Sequence, residues 1–308
     1  MSISFLAFVW NPSEGFDIGP LTIRFYSLMF VVAFALGWYI MKYIFIRENE
    51  SLEKLDSLFI YTVIATLIGA RLGHVIFYQS ELFREDPLSI LLPIRTKPQF
   101  EFTGFSGLAS HGAAIAIILF MIYFSKKIMK QSLIWVLDRV VIPVASGAIF
   151  VRLGNFFNSE IVGHETNSAF GVQFVQDFYS KNEAVLNTKI QNPKEAYKAI
   201  VENPDYSYLL DKVPALHPSQ LYEAFGYIFV FLILFFMYWK TDARKKEGLL
   251  FGMFMVLLWS VRFIVEFVKA SQGGFEKYPV FNALTTGQWL SIPFILIGLY
   301  YIFRPKKA

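Results

Sequence analysis

The sequence predicts an all-α polytopic membrane protein with seven transmembrane helices. The first indication is composition, since 55% of the 308 residues are hydrophobic, 17% are charged and the mean hydropathy is +0.47. A soluble fold of this length requires more polar surface than that. The second indication is a series of apolar segments long enough to cross about 30 Å of hydrocarbon. The third is the uneven distribution of lysine and arginine among the segments that connect them.

Seven apolar segments satisfy the length requirement. They cover residues 22–45, 55–78, 107–125, 132–151, 218–239, 247–268 and 287–303. The fourth contains Asp138 and Arg139, and the basic turn SKKIMKQ separates it from the third. We expect residues 1–308 to form a single membrane domain, with an outer arm at residues 79–106 and an extracytoplasmic cap at residues 159–216. The cap segment is longer than a connector requires, and nothing in it indicates catalysis.

Basic residues define the expected orientation. Thirteen lysines and arginines are concentrated in the short segments 42–54, 126–130, 240–246 and 304–307. Connecting segments rich in lysine and arginine remain on the cytoplasmic side of the membrane. With seven spans, this predicts that the N-terminus, which carries Glu14 and Asp17, is outside and that the C-terminus is cytoplasmic. The arm and the cap then both face outward.

Several functional classes are excluded by residue types. The chain has no cysteine, so neither a structural disulfide nor a thiolate nucleophile is expected. Its four histidines lack metal-ligand spacing, and we expect no metal and no cofactor. The N-terminal stretch has no basic n-region and reaches Asn11-Pro12 early, which is not typical of a cleavable signal peptide. The net charge of +4 is small, and no nucleic-acid partner is expected.

The second predicted span contains polar residues whose presence in a membrane requires an interaction partner or a function. A charged side chain at membrane depth costs roughly 2.5–3.5 kcal/mol on insertion scales. The stretch GARLGHVIFY (69–78) places Arg71 and His74 one helical turn apart. Gly69 and Gly73 have the small-xxx-small spacing that lets another helix approach closely. We expect helix packing for the glycines, whereas both structural anchoring and head-group binding are open for Arg71.

The third and sixth spans contain candidates for proton transfer and anion binding. His111 lies in GLASHGAA (107–114), one turn into the predicted helix, among small residues that leave room for a substrate. A membrane histidine is more often a helix–helix hydrogen-bond partner, yet histidine also exchanges protons near neutral pH. Arg262 and Glu266 are four residues apart in WSVRFIVEF. Either they neutralise each other, or Glu266 orients Arg262 toward a phosphate, for which guanidinium is the preferred partner.

Most polar residues of the predicted spans gather toward one side of the membrane. The densest group is VRLGNFFNSE (151–160), directly after the fourth span. A transport path needs such groups through both halves of the bilayer. This collection instead indicates chemistry on a lipid head group at the outer surface. The set comprises Tyr26, Arg71, His111, Arg152, Asn155, Asn158, Glu160, His217, Gln220, Tyr222, Glu223, Arg262 and Glu266.

These motifs resemble the prolipoprotein diacylglyceryl transferase family over most of the chain. The most specific match is the stretch from Arg152 to Glu160, followed by Gly163. Four further matches are Tyr26, GARLGHVIFY, HPSQLYEA (217–224) and RFIVEF (262–267). The third-span motif departs from the family pattern, which has an aromatic residue before the histidine and two glycines after it. Here the sequence is Ser110-His111-Gly112-Ala113, which puts the shape of the pocket near His111 in question.

The resemblance implies a reaction and a location. The family passes the diacylglyceryl group of phosphatidylglycerol to the thiol of a lipobox cysteine, which forms a thioether and releases glycerol phosphate. The partners would be phosphatidylglycerol, the lipobox-containing signal peptides of prolipoproteins and the membrane itself. The location would be the bacterial cytoplasmic (inner) membrane, with several passes. The absence of cysteine from this chain fits, because the nucleophile belongs to the substrate.

The resemblance also suggests roles for individual residues. His111 would be the general base, Arg152 and Arg262 would hold the phosphate, and Tyr26 would supply a hydroxyl. His111 could instead donate a hydrogen bond to the head group. No metal is required. The residues expected to bind phosphatidylglycerol are Arg152, Asn155, Asn158, Glu160, Gly163, Arg262, Glu266, Arg71 and Tyr222.

Two other functions compete with this interpretation. Gly104-Phe105-Ser106-Gly107 has the GxSG pattern found around the nucleophile of intramembrane serine proteases. In that fold, however, the arginines near the outer surface would have no function. The other alternative is a non-enzymatic lipid or anion carrier that uses Arg152 and Arg262 for binding. A carrier would require polar residues continuing toward the inner leaflet, where only Asp138 and Arg139 are candidates.

The predicted orientation can be tested by labelling single cysteines in this cysteine-free chain. Asn182→Cys lies in the expected outer cap and should react with an impermeant thiol reagent in intact spheroplasts. Thr241→Cys lies in a basic, and therefore cytoplasmic, segment and should react only after permeabilisation. The reverse labelling pattern would overturn the orientation and move the polar groups to the wrong leaflet.

Overall fold

The structure is a computed structural model that describes residues 8–19, 21–92, 94–96, 99–102, 107, 109–271, 274 and 283–305. Two sequence predictions fall partly outside these residues. One is the protease-like motif, of which Gly104, Phe105 and Ser106 are not described. The other is the basic C-terminal segment, of which Lys306 and Lys307 are not described.

Within the described residues the chain is mostly helical. The α-helices, in chain order, are α1 (Phe25–Arg47), α2 (Leu52–Tyr78), α3 (Leu82–Glu85), α4 (Ser110–Tyr123), α5 (Leu133–Phe157), α6 (Val175–Phe178), α7 (Lys181–Thr188), α8 (Pro193–Glu202), α9 (Ser207–Leu210), α10 (Ser219–Lys240), α11 (Leu249–Val265) and α12 (Thr286–Phe303). Short 3₁₀ turns cover Pro87–Ile90, Pro204–Tyr206 and Asp242–Lys245, and a π-helical turn, Phe124–Met129, continues α4.

Six helical segments of the described chain are long and apolar enough to cross a membrane. They are Phe25–Arg47, Leu52–Tyr78, His111–Met129, Leu133–Phe157, Ser219–Lys240 and Thr286–Phe303. The remaining predicted span corresponds to α11, which is apolar but has only 17 residues. At 1.5 Å per residue this helix measures about 26 Å, slightly less than the hydrocarbon thickness of about 30 Å. The structure therefore supports a polytopic membrane protein, while the count of seven spans and their orientation stay predictions.

Two helix boundaries differ from those expected in ways that affect the polar residues. Helix α5 extends to Phe157 rather than ending near residue 151, so Arg152 and Asn155 lie on its last turns. The apolar residues Leu153, Phe156 and Phe157 continue the helical pattern past the arginine. Helix α4 begins at Ser110, so His111 is its second residue and not one turn inside.

Short strands, which an all-α prediction leaves out, occur in the connecting segments. They are β1 (Phe8–Trp10), β2 (Gly15–Ile18), β3 (Leu21–Arg24), β4 (Ile94–Arg95), β5 (Glu101–Phe102), β6 (Val172–Phe174) and β7 (Ala215–Leu216). Strands β2 and β3 form one hairpin, and β4 and β5 form an antiparallel pair. Strand β6 pairs in parallel with β1 and antiparallel with β7. A strand that pairs with a partner more than 150 residues away leaves no local sequence signal, which is why this sheet was not predicted.

The described chain divides into two compact units. One contains the residues up to Gly37 and from Val140 onward, and the other contains Trp38–Arg139. Helices α1 and α5 contribute residues to both.

In the unit formed by Trp38–Arg139, α2 packs directly on α4. A Cβ atom added at Gly69 would lie 2.7 Å from the Gly112 carbonyl oxygen, and one added at Gly73 would lie 2.6 Å from the Gly112 Cα. The expectation that Gly69 and Gly73 serve helix packing is confirmed, and Gly112 is the residue that they contact. Arg139, one of the two charged residues of the fourth span, is buried here and lies 3.2 Å from the Glu48 carboxylate.

In the other unit, α11 packs against α10 and α12, with the Trp259 and Phe294 rings stacked at 4.2 Å. Helices α6 to α9 surround a small core of their own that includes Val175, Tyr197 and Ile200. The N-terminal segment is tied to this part of the chain by the Lys181 ammonium, 2.5 Å from the Glu14 carboxylate, which holds the pKa of that carboxyl below its usual value. The short helices thus form a folded element, and its extracytoplasmic location stays a prediction.

The contact between α2 and α4 predicts that Gly69→Ala destabilises the protein. The added methyl group meets backbone atoms of Gly112, so the helices must separate, and overpacking of this kind costs about 1–3 kcal/mol. Gly37→Ala is the matched control, since its Cβ would lie 3.6 Å from the Pro143 side chain, an ordinary contact. Thermal unfolding of the detergent-solubilised protein should show a lower midpoint for Gly69→Ala alone. Equal midpoints for the two variants would contradict the close crossing.

Candidate active site

Arg152 is the centre of the polar cluster, and its guanidinium is held on two sides. Its Nε atom forms an ion pair with the carboxylate of Glu223 on α10. Its Nη1 atom donates a hydrogen bond to Asn155 Oδ1 at 3.1 Å. Arg152 and Asn155 are three residues apart on α5 and therefore lie on one side of the helix. The side chain is 13% exposed, so the guanidinium is partly accessible to a ligand.

A tight turn after α5 brings Glu160 back to this cluster. Ser159 and Ile161 have φ values of 52° and 61°, in the left-handed region that residues other than glycine seldom adopt. With the chain reversed, Asn155 Nδ2 donates to Glu160 Oε1 at 2.7 Å, and Asn158 Nδ2 lies 3.5 Å from the same oxygen. Arg152, Asn155 and Glu160 therefore form a continuous hydrogen-bonded chain.

The first turns of α10 form the other wall of the cluster. Ser219 Oγ donates to the Ile161 carbonyl at 2.6 Å, and Gln220 Nε2 donates to the Glu160 carbonyl at 2.5 Å. These contacts set the start of α10 against the turn and place Glu223, which is 1% exposed, beside Arg152. The Tyr227 hydroxyl, one turn further, interacts electrostatically with Glu223, Arg152 and Arg262. Both arginines therefore belong to one cluster.

Gln220 and Glu223 were identified from the sequence as polar residues but were assigned no role, and Tyr227 was not identified. A signal was present, because Gln220, Glu223 and Tyr227 recur at spacings of three and four and so share one face of α10. That face is buried, which a hydropathy pattern dominated by aromatic residues did not reveal.

Arg262 lies on α11 and is only partly satisfied. Its guanidinium carbon lies 5.6 Å from the centre of the Trp259 ring, and its buried Nε has no hydrogen-bond partner among the described residues. The expected pairing with Glu266 is wrong. Helix α11 ends at Val265, and the Glu266 carboxylate lies instead 3.4 Å from Lys269 Nζ and against Gly287 of α12. The Glu266 N–H donates to the Arg262 carbonyl at 3.0 Å, but no ion pair between the two side chains is formed in the described part of the chain, so the neutralising alternative is not supported.

Gly163 lies in a strand-like segment beside the cluster, and Tyr222 lies on the first turn of α10. The Gly163 N–H donates to the His217 carbonyl at 2.8 Å. A Cβ atom at Gly163 would lie 2.5 Å from the Val268 carbonyl oxygen and 2.6 Å from the His217 Cβ, so only glycine fits. The Tyr222 hydroxyl lies 3.1 Å from His217 Nδ1. These close contacts explain why glycine is required at position 163. The expected role of Gly163 in binding substrate stays a prediction.

Tyr26, near the start of α1, packs its ring on the α5 turn that carries Arg152. A Cβ atom at Gly154 would lie 3.0 Å from Tyr26 Cδ2. Glycine at this position therefore lets the aromatic ring lie directly on the helix. Tyr26, Arg152, Asn155, Asn158, Glu160, Gly163, Tyr222, Arg262 and Glu266 all belong to the same unit, whereas Arg71 and His111 belong to the other.

Arg71 is bound by the backbone of the arm. Its Nε, Nη2 and Nη1 atoms donate to the carbonyl oxygens of Ile90, Ser89 and Gly107 at 2.9, 2.6 and 3.4 Å. These contacts favour structural anchoring, one of the two roles left open by the sequence. Arg71 and His74 also line a small cavity of about 240 Å³.

His111 is exposed on the first turn of α4. Its ring makes edge contacts with Phe77 at 4.9 Å and with Tyr78 at 5.9 Å. The imidazole is thus held by aromatic neighbours while it remains accessible, a setting that is compatible with proton transfer to or from a ligand.

Chemically, the cluster around Arg152 is suited to an anion with several acceptor oxygens. It contains two guanidinium groups, of which Arg152 is oriented by a carboxylate and an amide and Arg262 has a buried unpaired N–H. Planar guanidinium groups bind phosphate through paired hydrogen bonds.

Comparison with known proteins identifies the family. A sequence profile of the prolipoprotein diacylglyceryl transferases matches residues 14–304. A phosphatidylglycerol–prolipoprotein diacylglyceryl transferase of Chloroherpeton thalassium is 34% identical over 300 residues, 97% of this chain and 94% of the relative. Enzymes with the same name from Tolumonas auensis and Porphyromonas gingivalis are 33% and 34% identical, covering 94% and 92% of this chain and 94% and 89% of their own lengths. These matches confirm the resemblance seen in the motifs, and the chain belongs to the prolipoprotein diacylglyceryl transferase family.

Proposed function

We propose that this chain transfers the diacylglyceryl group of phosphatidylglycerol to the thiol of a lipobox cysteine. A thioether forms and glycerol phosphate is released, which is the first step of lipoprotein maturation. The observation that carries the proposal is the guanidinium of Arg152, which Glu223 and Asn155 hold in place while some of its N–H groups remain available to a ligand. The same cluster also contains Arg262. The full-length similarity to enzymes of that name supports the same reaction.

The chemistry requires that a thiol lose its proton and that a phosphate leave. A free cysteine thiol has a pKa of about 8.5, so a base is needed near neutral pH. His111 accepts the proton, and the thiolate sulfur attacks the lipid carbon that carries the phosphate oxygen. The new S–C bond forms as the C–O bond breaks, and the electron pair of that bond goes to the departing phosphate.

The arginines stabilise the charge that develops on the leaving group. Arg152 and Arg262 donate to the phosphate oxygens, and donors fixed in advance avoid reorganisation during the reaction. Asn155, Asn158 and Glu160 keep Arg152 in place, and Tyr26 contributes a hydroxyl beside the same helical turn. Tyr222 and Glu266 line the lipid-binding region, Gly163 permits the close backbone approach that shapes it, and Arg71 orders the arm.

The partners and the location follow from this reaction. The donor is phosphatidylglycerol, and the acceptor is the lipobox-containing signal peptide of a prolipoprotein. Since both reside in the bacterial cytoplasmic membrane, we propose that membrane as the location, with the site at its outer surface. The carrier alternative gains no support, because Arg139, a candidate for the inner half of a carrier path, is paired with Glu48.

The proposal is tested by mixing purified protein with phosphatidylglycerol and a lipobox peptide. A thioether-linked product supports the transferase. Cleavage of the peptide would indicate a protease, and movement of lipid without product would indicate a carrier.

Replacing Arg152 with lysine tests the phosphate contact. Lysine keeps the charge but loses the planar fork and the Nε–H that binds Glu223. Arg152→Lys should therefore be nearly as inactive as Arg152→Ala, measured as transfer of radiolabelled diacylglycerol at matched amounts of folded protein. Arg139→Lys is the control, a buried arginine with its own glutamate partner outside the cluster, and it should keep the normal rate per folded molecule. Near-normal transfer by Arg152→Lys would contradict the proposed contact between Arg152 and the phosphate.

Replacing His111 with glutamine tests the base. The rate should fall by about 10²–10⁴-fold, the usual contribution of general acid–base catalysis. Higher pH should partly restore the variant, because more of the substrate is then thiolate, while lipid binding changes little. His164→Gln, at an exposed position with no assigned role, should leave the rate unchanged at every pH. If His111→Gln turns over normally at pH 7, His111 is not the base.

A further inference from the structure

Glu223 is an unusual residue for an apolar helix. Its side chain is 1% exposed, and α10 is otherwise dominated by aromatic and aliphatic residues. A buried carboxylate loses its hydration and is retained only where a partner compensates. Its partner is Arg152, whose Nε forms an ion pair with Glu223 Oε2, and neither carboxylate oxygen has a hydrogen-bond partner of regular geometry within the described part of the chain.

The contact with Nε determines which donors of Arg152 remain. A guanidinium has five N–H groups, one on Nε and two on each terminal nitrogen. Glu223 occupies Nε, and Asn155 takes one N–H of Nη1. Tyr227 can engage at most one more, which leaves two terminal N–H groups for a ligand.

Glu223 is itself fixed in position by the start of its helix. Ser219 and Gln220 bond to the carbonyl groups of Ile161 and Glu160 at 2.6 and 2.5 Å. Asn155, which binds the other side of Arg152, is bonded to the same Glu160 at 2.7 Å. The two groups that orient the guanidinium are thus connected through one turn, residues 159–161.

We propose that Glu223 is a positioning residue, which binds Arg152 Nε and so directs the terminal N–H groups of that guanidinium toward the lipid phosphate. The inference rests on the proposed function. Glu223 does not touch the substrate and acts through Arg152.

This role predicts a specific kinetic signature. Without Glu223, Arg152 keeps its charge and still attracts an anion, so binding of phosphatidylglycerol changes little. The orientation that matches the departing phosphate is lost, and misplacement by about 1 Å can reduce a rate by 10²-fold. An interaction realised in the transition state affects kcat, whereas one made equally with bound substrate affects KM.

Two substitutions of Glu223 separate orientation from charge. Glu223→Gln keeps the size but loses the charge-assisted bond, which is roughly twice as strong as a neutral one. Glu223→Asp keeps the charge but is one methylene too short to reach Nε. Both should lower kcat by about 10- to 100-fold per folded molecule, with KM for phosphatidylglycerol changed by less than about threefold. Glu48→Gln, which disrupts the buried pair with Arg139, is the matched control and should leave both constants unchanged.

Each other outcome contradicts the inference. A normal kcat per folded molecule in Glu223→Gln and Glu223→Asp, even with little folded protein recovered, would make Glu223 purely structural. A normal rate in Glu223→Asp alone would show that the charge matters and the contact does not. An increased KM with normal kcat would assign Glu223 to lipid binding. If the unaltered protein itself forms no thioether, the proposed function fails, and the inference that rests on it fails with it.

Discussion

The ion pair between Arg152 and Glu223 is the interaction on which the arrangement of the cluster depends. Removing one partner of a buried ion pair costs about 3–5 kcal/mol, because an uncompensated charge remains. The pair joins α5 to α10, and Asn155 of α5 and Gln220 of α10 both bond to Glu160 in the turn that follows α5. The last turns of one helix, the first turns of another and the intervening turn therefore form a single polar assembly.

The turn after α5 is conformationally costly. Ser159 and Ile161 have positive φ values, and for a β-branched residue such as Ile161 this is a rare conformation. Residues held in sparsely populated regions cost about 1–3 kcal/mol each. The carbonyl groups of Glu160 and Ile161 both accept bonds from α10, which offsets part of this cost. Strain of this kind keeps Glu160 facing Asn155, where a relaxed turn would direct it elsewhere.

Much of the fold could be predicted from the sequence, because its helices are determined by long apolar runs. Residues whose role depends on local pattern were also identified, as with the glycines of α2 that pack on Gly112. Contacts between distant segments could not be predicted. Glu223 lies 71 positions from Arg152, and no periodicity indicates which arginine a buried glutamate binds. Glu266 shows the converse error, because helical spacing suggested Arg262, whereas the carboxylate of this C-cap residue contacts Lys269 instead.

Two other arginines, both in the unit Trp38–Arg139, serve as structural anchors. Arg71 has every guanidinium nitrogen donating to a backbone carbonyl. Arg139 donates to Glu48 and to the Trp135 carbonyl, while its face covers the Trp135 ring at 4.0 Å. Each of them ties together neighbouring segments of its own unit.

Arg152 is held in one orientation by Glu223 and Asn155, and its side chain remains 13% exposed, against 4% for Arg139. A guanidinium held in this way loses little conformational entropy when an anion binds, since the protein has already ordered it. The same partners also prevent the guanidinium from moving with the anion as negative charge develops on the departing phosphate. A phosphate is therefore stabilised best at the one geometry that these donors match, which is the property required of a group that acts on a transition state.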